Sequence, residues 1–209
     1  MDLTFILTFA PPLLIVAYIL YSDKCPEPLD LCIKTFILGC LLCIPAAILN
    51  GYFIIDRSYA YLAGFTEEPL KFAVLYFFIR TKAHFDEPMD AIVYGTLISL
   101  GFATLENYDY VYELAYDPES VALLRAFSAI PLHACCGIVM GYYFGLYSFK
   151  NSDKTNLIKA LIIPIAFHAS YNFFAGTNIL LMFVVLLILI IFANKLHKEL
   201  KNEQISNEC

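Results

Sequence analysis

Two adjacent carboxylates and a lysine stand inside an otherwise apolar stretch of the sequence. Glu67, Glu68 and Lys71 are flanked by the runs 59–62 and 72–79, whose composition is typical of membrane segments. Placing an ionisable side chain at membrane depth costs about 2.5–3.5 kcal/mol, so such residues usually serve a function there. Two neighbouring carboxylates with little water around them suit general acid or base work. Lys71 can pair with either glutamate across one helical turn.

Three further stretches place polar groups inside apolar runs, at Glu106-Asn107, at His133, and at His168 with Asn172. Because His168 and Asn172 are four residues apart, they share one helix face. A glutamate can activate water, while imidazole and amide groups can stabilise the oxyanion that develops during hydrolysis. The sequence therefore predicts a hydrolytic site whose catalytic residues are Glu67, Glu68, Glu106, His133, His168 and Asn172, supported by Lys71, Asn107 and Arg125.

The same side chains offer an alternative chemistry, because histidine and glutamate are ordinary zinc ligands. The candidate ligands are Glu67, Glu68, His133 and His168. The sequence contains no HExxH motif, and adjacent carboxylates suit proton transfer better than ligation of a single ion. We therefore expect a glutamate mechanism without a cofactor, with Glu67 or Glu68 as the general base and zinc as the alternative.

Two local features of the sequence allow more than one interpretation. Pro69 either kinks a helix over 60–80 or belongs to a helix that begins near Thr66, because proline cannot donate to the carbonyl four residues earlier. Cys40 and Cys43 form a CxxC pair. We interpret both cysteines as packing residues, because no second pair completes a metal site.

The elements that position these residues are membrane helices. The chain has 209 residues, of which 60% are hydrophobic and 15% charged, and its mean hydropathy is +0.70. Soluble domains are about 45–50% apolar and about 25% charged. We expect an all-α membrane bundle that forms one domain over 1–209, with the catalytic motifs in 60–175. The sequence has no basic patch that would indicate a nucleic-acid partner. The predicted spans are 3–21, 31–53, 60–80, 89–110, 121–148, 157–175 and 177–194, seven in all.

The distribution of lysine and arginine predicts the orientation of the bundle. Ten of the 13 basic residues fall in the tail and in the connections that share its side, whereas the connection 109–120 carries acids and no base. The positive-inside rule therefore predicts an external N-terminus and a cytoplasmic C-terminus. Under this topology the polar groups of four spans lie at one depth, in the outer half of the bilayer, and are expected to enclose one cavity.

Taken together, these stretches resemble the PrsW family of intramembrane proteases, within the wider group of CAAX-prenyl endopeptidases and bacteriocin-processing enzymes. The CAAX branch more typically carries Glu-Glu-x-x-x-Arg and fits less well. The matching motifs extend from the third to the sixth predicted span. They are Glu67-Glu68-x-x-Lys71, Phe102-Ala103-x-x-Glu106-Asn107, Arg125 with His133 and Gly137, and His168-x-x-x-Asn172.

The resemblance implies a bacterial plasma-membrane protease that makes the first, or site-1, cut in a membrane-anchored anti-sigma factor on the extracytoplasmic side. It thus implies a single-span membrane protein as substrate, and a glutamate or a metal mechanism. A helix hides its carbonyls in its own hydrogen bonds, so the cleaved segment is expected to be extended. Two alternatives stay open: a proton-coupled transporter, which also places Glu, His and Asn in a bundle, and a non-catalytic partner such as an immunity protein.

Overall fold

The computed structural model describes residues 2–207, so Met1, Glu208 and Cys209, the ends of the predicted 1–209 domain, lie outside the described residues. Within that range the secondary structure consists of helices, without a strand. The α-helices are α1 Leu3–Ser22, α2 Leu29–Leu41, α3 Cys43–Phe53, α4 Ala63–Phe77, α5 Pro88–Tyr108, α6 Pro118–Phe127, α7 Ala129–Gly145, α8 Lys154–Thr177 and α9 Ile179–Asn207. The shorter segments are the 3-10 turns Arg57–Leu62 and Ile79–Thr81 and the π-helical turns Asp109–Leu114 and Leu146–Asn151.

Several of these helices are long and apolar enough to cross a membrane. They account for the six candidate spans among the described residues, which are Leu3–Ser22, Leu29–Phe53, Pro88–Leu114, Pro118–Lys150, Lys154–Thr177 and Ile179–Ser206. The predicted fold class, an all-α multi-pass membrane bundle, is thereby confirmed. The segment predicted as a span over 60–80 instead forms a 3-10 turn and α4, a helix of only 15 residues that carries the buried charged side chains.

Helix α4 continues through Pro69 and begins at Ala63, so the start near Thr66 is not found. The missing backbone donor is accommodated inside the helix. Glu67, Glu68 and Lys71 are all buried within this element. They face protein rather than lipid, because neighbouring helices cover this side of α4.

Helix α5 forms the centre of the bundle and is buried along most of its length. It touches α2 and α7 at backbone distance. A methyl group placed on Gly101 would lie 2.0 Å from the carbonyl oxygen of Phe36 in α2, and one on Gly141 of α7 would lie 2.2 Å from the carbonyl oxygen of Ala91. Only glycine permits this approach, which is the usual reason for small residues at membrane helix interfaces.

Two further glycines of α7, Gly137 and Gly145, extend the same contact and with Gly141 form a ridge. A methyl group on Gly137 would lie 2.7 Å from the carbonyl oxygen of Gly95, and one on Gly145 would lie 2.6 Å from that of Pro88. The ridge therefore runs along α5 for two full helical turns. It holds the two helices in one register, which fixes the height of His133 on α7 relative to Glu106 on α5.

A polar network joins the chain at the Pro88 end of α5. The Gln204 amide on α9 donates to Asp23 Oδ1 at 2.7 Å and also bonds the Glu87 carboxylate. Tyr94 donates to Glu27, in the connection that leads to α2. Asp23, Glu27 and Glu87 lie outside the spans, and burial raises the pKa of each above its ordinary value. Burial thus disfavours the charged form of each carboxylate in this network.

Candidate active site

Four helices bring the predicted carboxylates and histidines together at the opposite end of α5. Glu67 and Glu68 come from α4, Glu106 from the last turn of α5, His133 from α7 and His168 from α8. All except Glu106 are almost completely buried. The imidazole rings of His133 and His168 are perpendicular, with centroids 5.0 Å apart. Residues that are up to 101 positions apart in sequence therefore form one compact polar cluster.

A buried lysine holds the centre of this cluster. Lys71 Nζ donates to Glu68 Oε1 at 2.8 Å, lies 3.0 Å from His133 Nδ1, and stands 4.2 Å from the centroid of the Phe102 ring. An ammonium group can only donate hydrogen bonds, so His133 Nδ1 acts as acceptor. In the arrangement without a metal, the ring proton of neutral His133 is therefore assigned to Nε2, and a metal ion bound by His133 would have to replace either this proton or the Lys71 contact.

That nitrogen faces the second carboxylate of the site. His133 Nε2 lies 3.0 Å from Glu106 Oε2, and Arg125 Nη2 lies 2.6 Å from the same oxygen. Arg125 Nε also donates to Asn107 Oδ1, whose own amide donates to the backbone of Thr8 in α1. Asn107 thus orients Arg125, while Arg125 balances the charge of Glu106.

Glu68 orients the other histidine of the site, His168, through a hydrogen bond. Glu68 Oε1 lies 2.8 Å from His168 Nδ1, so Nδ1 carries the ring proton and donates a hydrogen bond to the carboxylate. The lone pair of His168 then resides on Nε2, which faces Glu67 Oε2 at 3.8 Å. A carboxylate behind an imidazole is the usual support of a metal-binding histidine.

Glu67 presents one engaged and one unpaired oxygen. Its Oε1 accepts a hydrogen bond from the amide of Asn50 at 3.0 Å. Its Oε2 is buried, has no hydrogen-bond partner, and lies 3.9 Å from Lys71 Nζ. An unsatisfied buried carboxylate oxygen is costly, which suggests that a further ligand completes its coordination.

These donors fit a zinc ion. One potential ligand atom from each of Glu67, His133 and His168 lies within 4.8 Å of the others. Among residues 2–207, this is the group of histidine, cysteine and carboxylate side chains that is close enough to hold a metal ion. Zinc binds nitrogen and oxygen at about 2.0–2.2 Å, so ligands around one ion must lie this close. Glu67 Oε2, which has no hydrogen-bond partner, and the lone pair of His168 Nε2 are also suited to bind a metal ion. Glu68, the fourth ligand of the zinc alternative, instead stands behind His168.

The cluster opens into a cavity of about 540 Å³. Its polar lining includes Glu67, Glu106, His133, His168, Arg125 and Asn172, and its apolar lining includes Ala46, Ala63, Phe102 and Leu132. Asp56 and Arg57 lie in the cavity wall near the start of the 3-10 turn. The Ser58 hydroxyl and backbone amide bond Asp56 and lower its pKa, so this carboxylate is charged at neutral pH. The space is large enough for a short peptide segment.

Two asparagines have contacts that the sequence did not predict. Asn172 lines the cavity, but its amide donates to the carbonyl of Ala60 at 3.3 Å and so links α8 to the 3-10 turn Arg57–Leu62. Asn50 was missed by sequence reasoning, although it bonds Glu67 directly. The sequence signal for Asn50 is a polar amide inside the predicted span 31–53. Because Gly51 follows it, the pair also has the composition of an ordinary helix end.

Comparisons with known proteins identify the family to which the chain is similar. A family model described as "PrsW family intramembrane metalloprotease" matches residues 27–194. The protein named Protease PrsW of Oceanobacillus iheyensis is 37% identical over 85% of this chain and 87% of its own length. Those of Bacillus subtilis and Clostridioides difficile are 34% and 31% identical, over 78% and 96% of this chain and 78% and 92% of their own lengths. No solved structure matches the chain significantly.

The family match bears on both the chemistry and the identity of the protein. Its description names a metalloprotease, so the expectation of a site without a cofactor has no support, whereas the zinc alternative has. The matched residues contain all the members of the polar cluster. The match also covers far more than half of the chain, as do the relatives. This multi-pass membrane protein therefore belongs to the PrsW family of intramembrane metalloproteases.

Proposed function

We propose that this peptidase makes the first, site-1, cut in a single-span membrane protein, an anti-sigma factor or a similar substrate, on the extracytoplasmic side of a bacterial plasma membrane. The observation that carries the proposal is the cluster of Glu67, His133 and His168, whose ligand atoms lie within 4.8 Å of one another beside a peptide-sized cavity. The anti-sigma factor enters through the resemblance to the family. The proposal treats residues 1–209 as one protease domain with its motifs in 60–175.

We further propose that Glu67, His133 and His168 hold a zinc ion. When bound, zinc supplies Lewis acidity to a substrate carbonyl and to water. Glu68 keeps His168 in the tautomer that offers Nε2, and Lys71 holds Glu68 in place through its 2.8 Å ion pair. Glu106, the cavity carboxylate that lies 3.0 Å from His133 Nε2, then accepts a proton from water.

The remaining polar groups bind and orient the peptide. Arg125 and Asn172 line the cavity and carry N–H donors, so they are suited to substrate carbonyl oxygens. In the metal-free alternative Glu67 Oε2, which has no hydrogen-bond partner, accepts the proton from water directly. The two schemes assign Glu67 different roles, which makes this residue the most informative one to change.

The orientation of the bundle is part of the proposal. The basic residues favour a cytoplasmic C-terminus, which would place the Glu106 end of α5 toward the outside. We expect a reporter that is active only in the cytoplasm to be active when fused after the last residue. A fusion that works only outside the cell would overturn the orientation and the extracytoplasmic cut together.

A cleavage assay tests the function itself. The protein and a candidate anti-sigma factor are co-produced in membranes, and the substrate is followed by its size, with the zinc content of the purified protease measured in parallel. We expect a new extracytoplasmic cut that a chelator prevents and added zinc restores. An uncut panel of single-span substrates, with a zinc-loaded protease, would contradict the proposed substrate class.

A further inference from the structure

We infer that Asn50 is a positioning residue, which fixes the Glu67 carboxylate so that Oε2 is turned toward His168. The inference rests on the proposed function of Glu67 in the site. Asn50 lies in α3, and it uses both ends of its amide. Its Nδ2 donates to Glu67 Oε1 at 3.0 Å, while its Oδ1 accepts from the Thr66 hydroxyl at 2.5 Å. The amide therefore links two consecutive side chains of α4 to a different helix.

The two contacts specify a single orientation of the amide. An amide oxygen only accepts hydrogen bonds and an amide nitrogen only donates them. Because a carboxylate oxygen only accepts hydrogen bonds, the amide nitrogen faces Glu67, and Oδ1 is left to face the Thr66 hydroxyl, which also lies 3.1 Å from the Ala63 carbonyl oxygen. A flipped Asn50 would instead direct its oxygen at the Glu67 carboxylate, and two acceptors would meet in a buried place. The Thr66 hydroxyl thus helps to hold the amide in this orientation, and the amide in turn holds Glu67.

The orientation matters because the two oxygens of Glu67 have different surroundings. With Oε1 held by Asn50, Oε2 is the oxygen that lies 3.8 Å from His168 Nε2 and lacks a hydrogen bond. Without the amide, Glu67 could rotate toward Lys71, whose ammonium is already 3.9 Å away. A closer ion pair with Lys71 would withdraw the carboxylate from the position where a zinc ion or a water molecule needs it.

A neutral amide is suited to this task. It satisfies one oxygen of Glu67 without neutralising the carboxylate, whereas a lysine or arginine would add a further cation to a site that already contains Lys71 and Arg125. The break between α2 and α3 at Leu42 allows Asn50 to sit on a separate helix. Its side chain therefore approaches Glu67 from the cavity wall that Ala46 and Ala47 also form.

Zinc affinity of the purified full-length protein provides the first test. We compare the wild type with Asn50→Leu, which keeps the approximate size but removes the donor, and with Thr66→Val, which removes the hydroxyl that helps to hold the amide. Loss of a group that supports a metal ligand typically weakens metal binding by about 10–100-fold. We expect a loss in that range for Asn50→Leu and a smaller loss for Thr66→Val.

Thr35→Val is the matched control, because Thr35 is also a buried threonine whose hydroxyl bonds a carbonyl of its own helix, that of Leu31. It should keep the wild-type zinc affinity. The Asn50→Leu change is also made in a Glu67→Gln background. If Asn50 acts through Glu67, the second change should cause no further loss. Wild-type affinity for Asn50→Leu, or a loss that simply adds to that of Glu67→Gln, would overturn the inference and show a merely structural role.

A second readout separates this inference from the proposed metal site. If the wild type cleaves its substrate without zinc, the metal proposal fails, and Asn50 is then judged by steady-state kinetics. Asn50→Leu should lower kcat by about tenfold or more with little change in KM, since a misplaced general base costs rate rather than binding. An unchanged kcat would refute the positioning role. Thermal unfolding of each variant identifies any protein that has failed to fold.

Discussion

Glu67 and Glu68 are neighbours in sequence, yet they occupy different positions in the site. Glu67 faces the cavity with one unpaired oxygen, whereas Glu68 lies behind His168 and bonds Lys71. The sequence predicts that one of the two is the general base. It could not say which, because the choice depends on where α8 packs against α4.

Substituting each glutamate by glutamine distinguishes the two proposed mechanisms. Under the zinc proposal Glu67→Gln abolishes cleavage and weakens zinc binding more strongly than Glu68→Gln, whose loss as a supporting residue is about 10–100-fold. Cleavage is measured on a validated substrate and zinc on the same preparation. Full zinc content in an inactive Glu67→Gln protein would favour the metal-free base. Wild-type cleavage by both variants would remove the catalytic role of this stretch.

Lys71 is the counter-charge of the site, and its removal should be severe. Lys71→Met keeps the length of the side chain but leaves Glu68 buried without its cation, which typically costs about 3–5 kcal/mol. We expect a marked drop in the thermal unfolding midpoint. Lys34→Met is the control, because Lys34 forms an exposed i,i+4 pair with Asp30 that is worth at most about 1 kcal/mol. Equal stability losses in the two variants would contradict the central role of Lys71.

At the scale of the helix, glycine determines how closely α5 and α7 pack. In Gly141→Ala the added methyl group would meet the Ala91 carbonyl oxygen at 2.2 Å, so the helices must separate. Overpacking of this kind costs about 1–3 kcal/mol, to be measured as a fall in unfolding free energy. Gly51→Ala serves as the control because no atom lies within 4 Å of its added methyl group. A stable Gly141→Ala protein would show that the close contact is dispensable.

The sequence predicted the long helices well, because each contains an apolar run of membrane length. It failed at the short ones. Helix α4 was counted as a span over 60–80, although it has only 15 residues and its charged side chains are buried in protein. The second span divides at Leu42, and Pro45, which cannot donate a hydrogen bond to the carbonyl of Leu41, is the sequence signal of that division. What a single sequence does not report is the tertiary packing that brings Asn50 to the site.

At the scale of the whole molecule, the carboxylate network at the Pro88 end of α5 makes stability depend on pH. Burial raises the pKa of Asp23, Glu27 and Glu87, so the folded protein binds protons more tightly than the unfolded chain does. Their contribution is fully present below the ordinary carboxyl pKa of about 4 and is lost as pH rises through the higher folded-state values. This is the reverse of the usual behaviour of ion-paired carboxylates.

We therefore expect the unfolding midpoint to fall as the pH is raised from weakly acidic to neutral. Glu87→Gln should reduce that fall, because glutamine can occupy the same hydrogen-bonding position without a charge. Asp30→Asn, at the exposed pair with Lys34, is the control and should leave the slope as in the wild type. A slope that Glu87→Gln does not change would place the pH dependence elsewhere in the molecule.

The glycine contacts of α5 also have a mechanical consequence. Because α5 meets the backbone of α2 on one side and of α7 on the other, it can neither slide nor rotate without carbonyl groups colliding. These three helices behave as one rigid body, and that body carries Glu106 and His133. Helix α3 forms part of the cavity wall and is tied to the same frame, because the Cys43 thiol bonds the carbonyl of Phe102 in α5. The separation of Glu106 and His133 is thus set by the backbones that carry them.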